Sequence, residues 1–172
     1  MWKRSPKKEE QFLKAYDSYA DNIFRHCYFR MSNRERAKEL MQETFVKAWI
    51  YMSRGGEVKN IKAFLYKIAN NLIVDEYRRK KELALEEMQH RQIAMSESWH
   101  EKVHSKIEAE SALKILNSIS AKYQKIVLMR LVDDLSIKEI ASILGKTENN
   151  ISVRLHRALK QMRKILNYEQ TI

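Results

Sequence analysis

Apolar residues recur at spacings of three and four along most of the chain. Phe12, Tyr16, Tyr19, Ile23 and Cys27 form the first such stripe, predicting an amphipathic helix that ends near Met31. Ser32 to Glu35 reads S-N-R-E, the form of a capping box, and Ala37, Leu40, Met41, Phe45, Ala48, Trp49 and Met52 carry a second stripe, closed by Ser53-Arg-Gly-Gly56. Ile61, Phe64, Leu65, Ile68 and Leu72 make a third, on a helix that runs out through the charged segment Asp75 to Glu82. These three helices are expected to share one core.

The period then fails. Residues 81 to about 106 are polar with scattered apolar positions and read as a linker with some local helix. A second block begins near Ile107, with Ala112, Leu113, Leu116 and Ile119 on one helix and Tyr123, Ile126, Val127 and Leu131 on the next. Asp133-Asp134 breaks that helix. Ser136 to Glu139 is a capping box opening a short helix through Ile140, Ala141 and Leu144, which Gly145 ends in a left-handed position. Thr147 can cap the helix that follows, so the block ends as a helix-turn-helix. With only three Gly and one Pro, the turns of a sandwich or barrel are missing. The expected architecture is all-α: two small helical domains, residues 8–81 and 107–168, joined by a polar linker at 82–106.

Charge changes the picture. The chain carries 33 Lys and Arg against 22 Asp and Glu, a formal charge of +11, which points to a polyanionic partner. At 100° per residue, Ile151, Leu155, Ala158, Leu159, Met162 and Leu166 share one side of the last helix, and Asn150, Arg154, Arg157, Lys160 and Lys164 the other. An Arg can donate two bonds to guanine, an Asn can pair with adenine, and Val153 can touch a thymine methyl from a helix in the major groove. On the third helix, Lys67, Asn71, Val74 and Arg78 follow at i, i+4, i+7 and i+11, a face able to track a strand. Tyr66 and Tyr77 are either stacking groups or helix contacts. Lys38, Glu39, Gln42 and Glu43 fall largely off the apolar stripe of their helix and are free to meet another protein.

The order of these pieces resembles a bacterial RNA polymerase sigma factor of the sigma-70 family, extracytoplasmic-function class, from about residue 10 to 166. Glu39 to Met52 (ELMQETFVKAWIYM) looks like that family's polymerase-binding helix, and Ala63 to Lys81 (AFLYKIANNLIVDEYRRKK) like its helix for the promoter −10 element. The C-terminal SIKEIASILGKTENNISVRLHRALKQMRK is similar to its reader of the −35 element. The resemblance implies a sigma factor that binds core RNA polymerase and directs promoter recognition and transcription initiation. It assigns Lys38, Glu39, Gln42 and Glu43 to polymerase. It assigns Lys67, Asn70, Asn71, Val74, Arg78 and Arg79 to melted −10 DNA, and Asn149, Asn150, Val153, Arg154, Arg157, Lys160 and Lys164 to the −35 duplex. Asn71 with the Ser53 to Asn60 loop resembles the family's pocket for a flipped base. An anti-sigma protein is a further candidate partner. The resemblance implies no inhibitory N-terminal region and no middle domain.

Where the family often has Gly-Thr-Val before a basic residue at the start of the reading helix, this chain has Asn149-Asn150-Ile151-Ser152, so its −35 sequence is not inherited from relatives. The alternative reading is a helix-turn-helix regulator that replaces no sigma subunit; binding to core polymerase separates the two.

One motif points elsewhere. His100 to His104 reads HEKVH, matching the zinc-protease pattern H-E-x-x-H. Its His pair lies in the polar segment with no apolar cleft and no rigid third ligand, so no metal, cofactor or catalytic role is assigned and the chain is read as non-enzymatic. Cys27 is the only cysteine, which excludes an internal disulfide and suits a reducing compartment. No apolar run follows the basic N-terminus and none reaches membrane-spanning length; a cytoplasmic protein without membrane insertion is expected.

Overall fold

The computed structural model describes residues 6–31, 33–90, 116 and 118–169. Among them are six helices and no strand: α1 (Pro6–Met31), α2 (Arg34–Ser53), α3 (Ile61–His90), α4 (Ala121–Leu131), α5 (Ile137–Leu144) and α6 (Glu148–Glu169). The chain divides into two compact units, within residues 1–100 and 101–172. The helix expected around Ala112 and Leu113, most of the linker, and His100 to His104 lie outside the described residues. None of the described helices is long and apolar enough to cross a membrane.

In the first unit, α1, α2 and α3 pack against one another around Ile23, Cys27, Leu40, Phe45, Ala48, Met52, Leu65 and Ala69, all buried. Aromatic rings close the α1–α2 seam: Phe12 lies 5.1 Å from Trp49 and Tyr16 meets Phe45 edge-on at 4.8 Å. The N-cap of α2 is Asn33, one residue later than the box at Ser32 predicts, and its side chain accepts from the Arg36 amide at 2.8 Å. Thr44, off the apolar pattern, is buried because its hydroxyl donates back to the Leu40 carbonyl at 2.7 Å.

Helix α3 differs most from expectation. It continues past Lys81 to His90, into the stretch read as linker. Its buried face is also wider than the stripe Ile61, Phe64, Leu65, Ile68 and Leu72, because it packs on both α1 and α2 and so buries Tyr66, Ala69, Asn70, Ile73 and Glu76.

The second unit builds its helix-turn-helix from local signals. Ser136 and Glu139 form a reciprocal capping box at the start of α5. Gly145 ends α5 at φ 61°, ψ 42°, the left-handed conformation glycine adopts without a Cβ clash. Thr147 Oγ1 then accepts from the Asn150 amide at 3.2 Å at the start of α6. Ile119, Tyr123, Val127 and Ala158 form the core joining α4 to α6, with Leu116, Leu155, Met162 and Ile165 packed against it. Two positions depart from the expected stripes: Leu131 is 61 % exposed at the end of α4, and Ile165 rather than exposed Leu166 faces the core. The α4–α5 turn buries Leu135, and Asp134 takes φ 48° beside Arg130, whose guanidinium donates to it at 3.4 Å.

Candidate nucleic-acid interface

Helix α6 is the second helix of the turn motif, and its orientation follows from two anchors. Ile151 and Ala158 are fully buried, which turns the opposite side of the helix outward. Asn149, Val153, Arg157, Lys160 and Lys164 are exposed, and Arg154 is half-buried. Arg154 and Arg157 join Thr147, Asn149, Asn150 and Val153 in an open depression of about 420 Å³, whose other wall is Lys122 and Tyr123 at the start of α4. The depression thus collects three cationic side chains and a helix N-terminus, a set that favours a phosphate or an acceptor-rich base edge.

Two features of this wall escaped sequence reasoning. Lys122 lies with its ammonium 5.0 Å from the Tyr123 ring centroid, a cation held at the rim by an aromatic face. The signal was present in Ser120-Ala-Lys-Tyr123, a basic residue in the first turn where the helix dipole disfavours one. The second is Asn150. Its Oδ1 is buried without a hydrogen-bond partner, so the amide does not present the donor-acceptor pair that adenine recognition requires.

On the first unit, Lys67, Asn71, Val74, Arg78 and Arg79 are exposed on α3, whereas Asn70 is turned inward and 5 % exposed. Asn70 therefore lies off the strand-tracking face to which the family resemblance assigned it, because α1 and α2 together cover that side of α3. Tyr66 is also interior, fully buried and edge-on to His26 at 4.9 Å. Tyr77 is partly exposed, but its hydroxyl donates to the Arg30 carbonyl at the end of α1; burial pushes the phenol up, and the nearby Arg30 only partly opposes this. Both tyrosines are helix contacts in this fold.

The loop before α3 is held from three sides. Lys8 donates to the Met52 carbonyl at 3.1 Å and the Gly56 carbonyl at 3.3 Å. A Cβ on Gly56 would fall 2.2 Å from the Tyr51 ring, so glycine is required for the ring to lie there. Asn60 Oδ1 accepts from the Ala63 amide at 2.9 Å and so caps α3.

Lys38, Glu39 and Gln42 are exposed on α2 and Glu43 is half-exposed. Glu43 pairs with Lys47 at 3.1 Å, and Glu39 with Arg36 at 2.7 Å. Arg36 also reaches Glu76 of α3 at 2.7 Å, and Arg79 meets the same carboxylate at 3.1 Å. Burial raises the Glu76 carboxyl, but the hydrogen bonds from Arg36 and Arg79 outweigh it and hold the group below the ordinary glutamate range. The Glu76 and Glu39 hydrogen bonds raise Arg36 correspondingly. Neither Arg36 nor Glu76 stands out in the sequence, since each sits amid many charges. Among the described residues no group of three or more His, Cys, Asp or Glu is arranged to hold a metal.

Comparison with known proteins follows the same division. The family described as Sigma-70 region 2 matches residues 15–82, and Sigma-70, region 4 matches residues 109–162. Among curated proteins, the chain is 28 % identical over 169 residues to the ECF RNA polymerase sigma factor SigW of Bacillus subtilis (strain 168), covering 92 % of this chain and 90 % of the relative. It is 26 % identical over 152 residues to RNA polymerase sigma factor YlaC of the same strain, covering 87 % and 88 %. Among solved structures, the sigma factor RpoE in complex with the anti-sigma factor NepR from Bartonella quintana is similar in fold, with a TM-score of 0.73 at 20 % identity, covering 92 % of this chain and 98 % of that one.

Proposed function

The chain belongs to the sigma-70 family, in its extracytoplasmic-function class, and from that premise we propose how its surfaces divide the work of transcription initiation. It is a sigma factor that binds core RNA polymerase and promoter DNA and directs where transcription begins. The functional domains are residues 8–81 and 107–168. The chain itself makes no bond: the polymerase carries the chemistry, and this subunit acts in the cytoplasm as a non-enzymatic specificity factor.

On the second domain, the reading helix enters the major groove of the −35 duplex by its N-terminal end. Asn149, Asn150, Val153 and Arg154 meet base edges there, Lys160 and Lys164 meet phosphates, and Arg157 lies between. Lys122 joins them as a phosphate contact from the opposite wall of the depression. Asn150 acts through its amide donors, on an acceptor such as guanine O6 or thymine O4, since its carbonyl oxygen is turned in.

On the first domain, Lys67, Asn71, Val74, Arg78 and Arg79 track the separated −10 strand, with the loop before α3 holding an unstacked base. Lys38, Glu39, Gln42 and Glu43 dock on core polymerase. An anti-sigma protein covering one of these surfaces would silence the factor; RpoE, similar in fold, is found in complex with the anti-sigma factor NepR.

The observation that carries this reading is the union, in one chain, of a three-helix unit with an exposed Lys67–Asn71–Arg78 face and a second unit whose turn presents Arg154 and Arg157. Run-off transcription with core polymerase on genomic fragments tests it. Discrete start sites that depend on the chain are expected, with His100→Ala and His104→Ala together leaving them intact. Equal output from core polymerase alone would overturn the reading, and DNA binding without polymerase binding would return the chain to the plain regulators.

A further inference from the structure

Four side chains connect two surfaces that have separate tasks. Arg36, in the first turn of α2, donates from Nη1 to Glu39 Oε2 at 2.7 Å and from Nη2 to Glu76 Oε2 at 2.7 Å. Arg79 Nη2 donates to both oxygens of Glu76 at 3.1 Å. The ends of this chain are wet and the middle is dry: the side chains of Glu39 and Arg79 are 60 % and 63 % exposed, Arg36 28 % and Glu76 4 %. Arg36 commits one arm to each carboxylate, and Glu76 divides one negative charge between two guanidinium groups. A change at one end therefore reaches the other without any backbone movement.

We propose that Arg36 and Glu76 form an electrostatic relay that couples engagement of Glu39 by core polymerase to the release of Arg79 toward the −10 strand, with Glu76 as the positioning residue. The proposal rests on the assignment of Glu39 to polymerase and Arg79 to the strand made above. A polymerase cation that takes Glu39 from Arg36 leaves the whole Arg36 charge to Glu76. Glu76 then holds Arg79 less tightly, and Arg79 turns outward to a phosphate. Only hydrogen bonds are exchanged. By linkage the effect is reciprocal, so strand binding strengthens the hold of polymerase on Glu39 by the same factor.

The relay predicts non-additivity between residues that do not touch. Holoenzyme assembled from core polymerase and the full chain is titrated with a fork-junction duplex whose single-stranded segment carries the −10 sequence of a promoter mapped by run-off transcription. A double-mutant cycle of Glu39→Gln and Arg79→Gln should show a coupling of about threefold, the scale of partly exposed ion pairs. The coupling should vanish in the Glu76→Gln background. It should vanish equally in Arg36→Met, which keeps the aliphatic stem but leaves no charge or donor between the two carboxylates, so a folding defect in the buried Glu76 variant leaves the test intact. Multiplicative effects in the unaltered background, or coupling that persists in either folded variant, would overturn the relay while leaving the two surfaces standing. If Glu39→Gln spares polymerase binding and Arg79→Gln spares strand binding, both the relay and the surface assignment fall.

Discussion

Gly145 offers a measurement in which geometry isolates one energy. It sits at φ 61° and ψ 42° between the helices of the turn, and a Cβ built there meets no heavy atom within 4 Å. Replacing it with Ala therefore adds no clash, and the cost is conformational alone. An L-residue in the left-handed region costs about 1–2 kcal/mol, offset by about 0.4–1 kcal/mol of entropy removed from the unfolded chain. The net is about 1 kcal/mol, or roughly a fivefold rise in the open population of the second unit. Amide hydrogen exchange of the full chain reads this directly: protected amides in α5 and α6 should exchange about fivefold faster in Gly145→Ala, while amides of α1 to α3 stay unchanged. Gly145→Asn should lie between Ala and Gly, because asparagine tolerates the left-handed region better. Affinity of the folded fraction for the −35 duplex should not move, since the added methyl group touches nothing. Unchanged exchange in the Ala variant, or an Asn variant that exchanges faster than Ala, would refute the reasoning. A selective loss of duplex binding at normal exchange would show instead that DNA presses against this turn.

Other expectations concern the charged faces. Arg154→Ala should cost about 1–3 kcal/mol on the preferred −35 sequence and relax preference at one position, whereas Lys164→Ala should weaken all sequences alike and lower the slope of log K against log salt by about one; binding to randomised sites at several salt concentrations decides, and the opposite pattern would mean the helix is oriented the other way. Asn71→Ala should reduce permanganate reactivity of unpaired thymines at equal promoter occupancy, and normal melting would remove Asn71 from the base pocket. The depressed Glu76 carboxyl contributes stability that is present above the ordinary value of 4.5 and is lost as pH falls through its lower folded value. Acid unfolding followed at Trp49 should therefore be less steep in Glu76→Gln, and identical acid limbs would show that the carboxyl is not depressed.

How much of this is legible in the sequence depends on whether a feature is local. The capping box at Ser136, the glycine stop at Gly145 and the sorting of α6 as far as Met162 are written within a few residues, and the structure holds each of them, while Leu166 at the end of α6 does not follow its stripe. The failures arise where a helix has more than one neighbour. Helix α3 touches both α1 and α2, so a single stripe underestimates its buried arc, and Asn70 and Tyr66 are interior despite their polar atoms. Leu131 departs from its stripe for the opposite reason: the helix ends at that residue, and its side chain has nothing left to pack on. The link from Arg36 to Glu76 spans 40 residues and has no periodic signature at all. Asn150 shows a finer limit, for spacing gives its direction from the helix axis but not the rotamer that buries its oxygen.

The clasp made by Lys8 bears on how the protein is handled. Its two acceptors, Met52 and Gly56, lie 44 and 48 residues downstream, so the ammonium group near the start of the chain closes a loop that a nascent polypeptide completes only much later. Acylation of that one amine, or a purification tag that splays the first turn of α1, would leave three packed helices and an ordinary circular-dichroism spectrum. It would nonetheless remove one of the three holds on the segment on which the expected base pocket depends. A preparation can therefore look well folded and initiate poorly, for a reason seated in the first turn of α1.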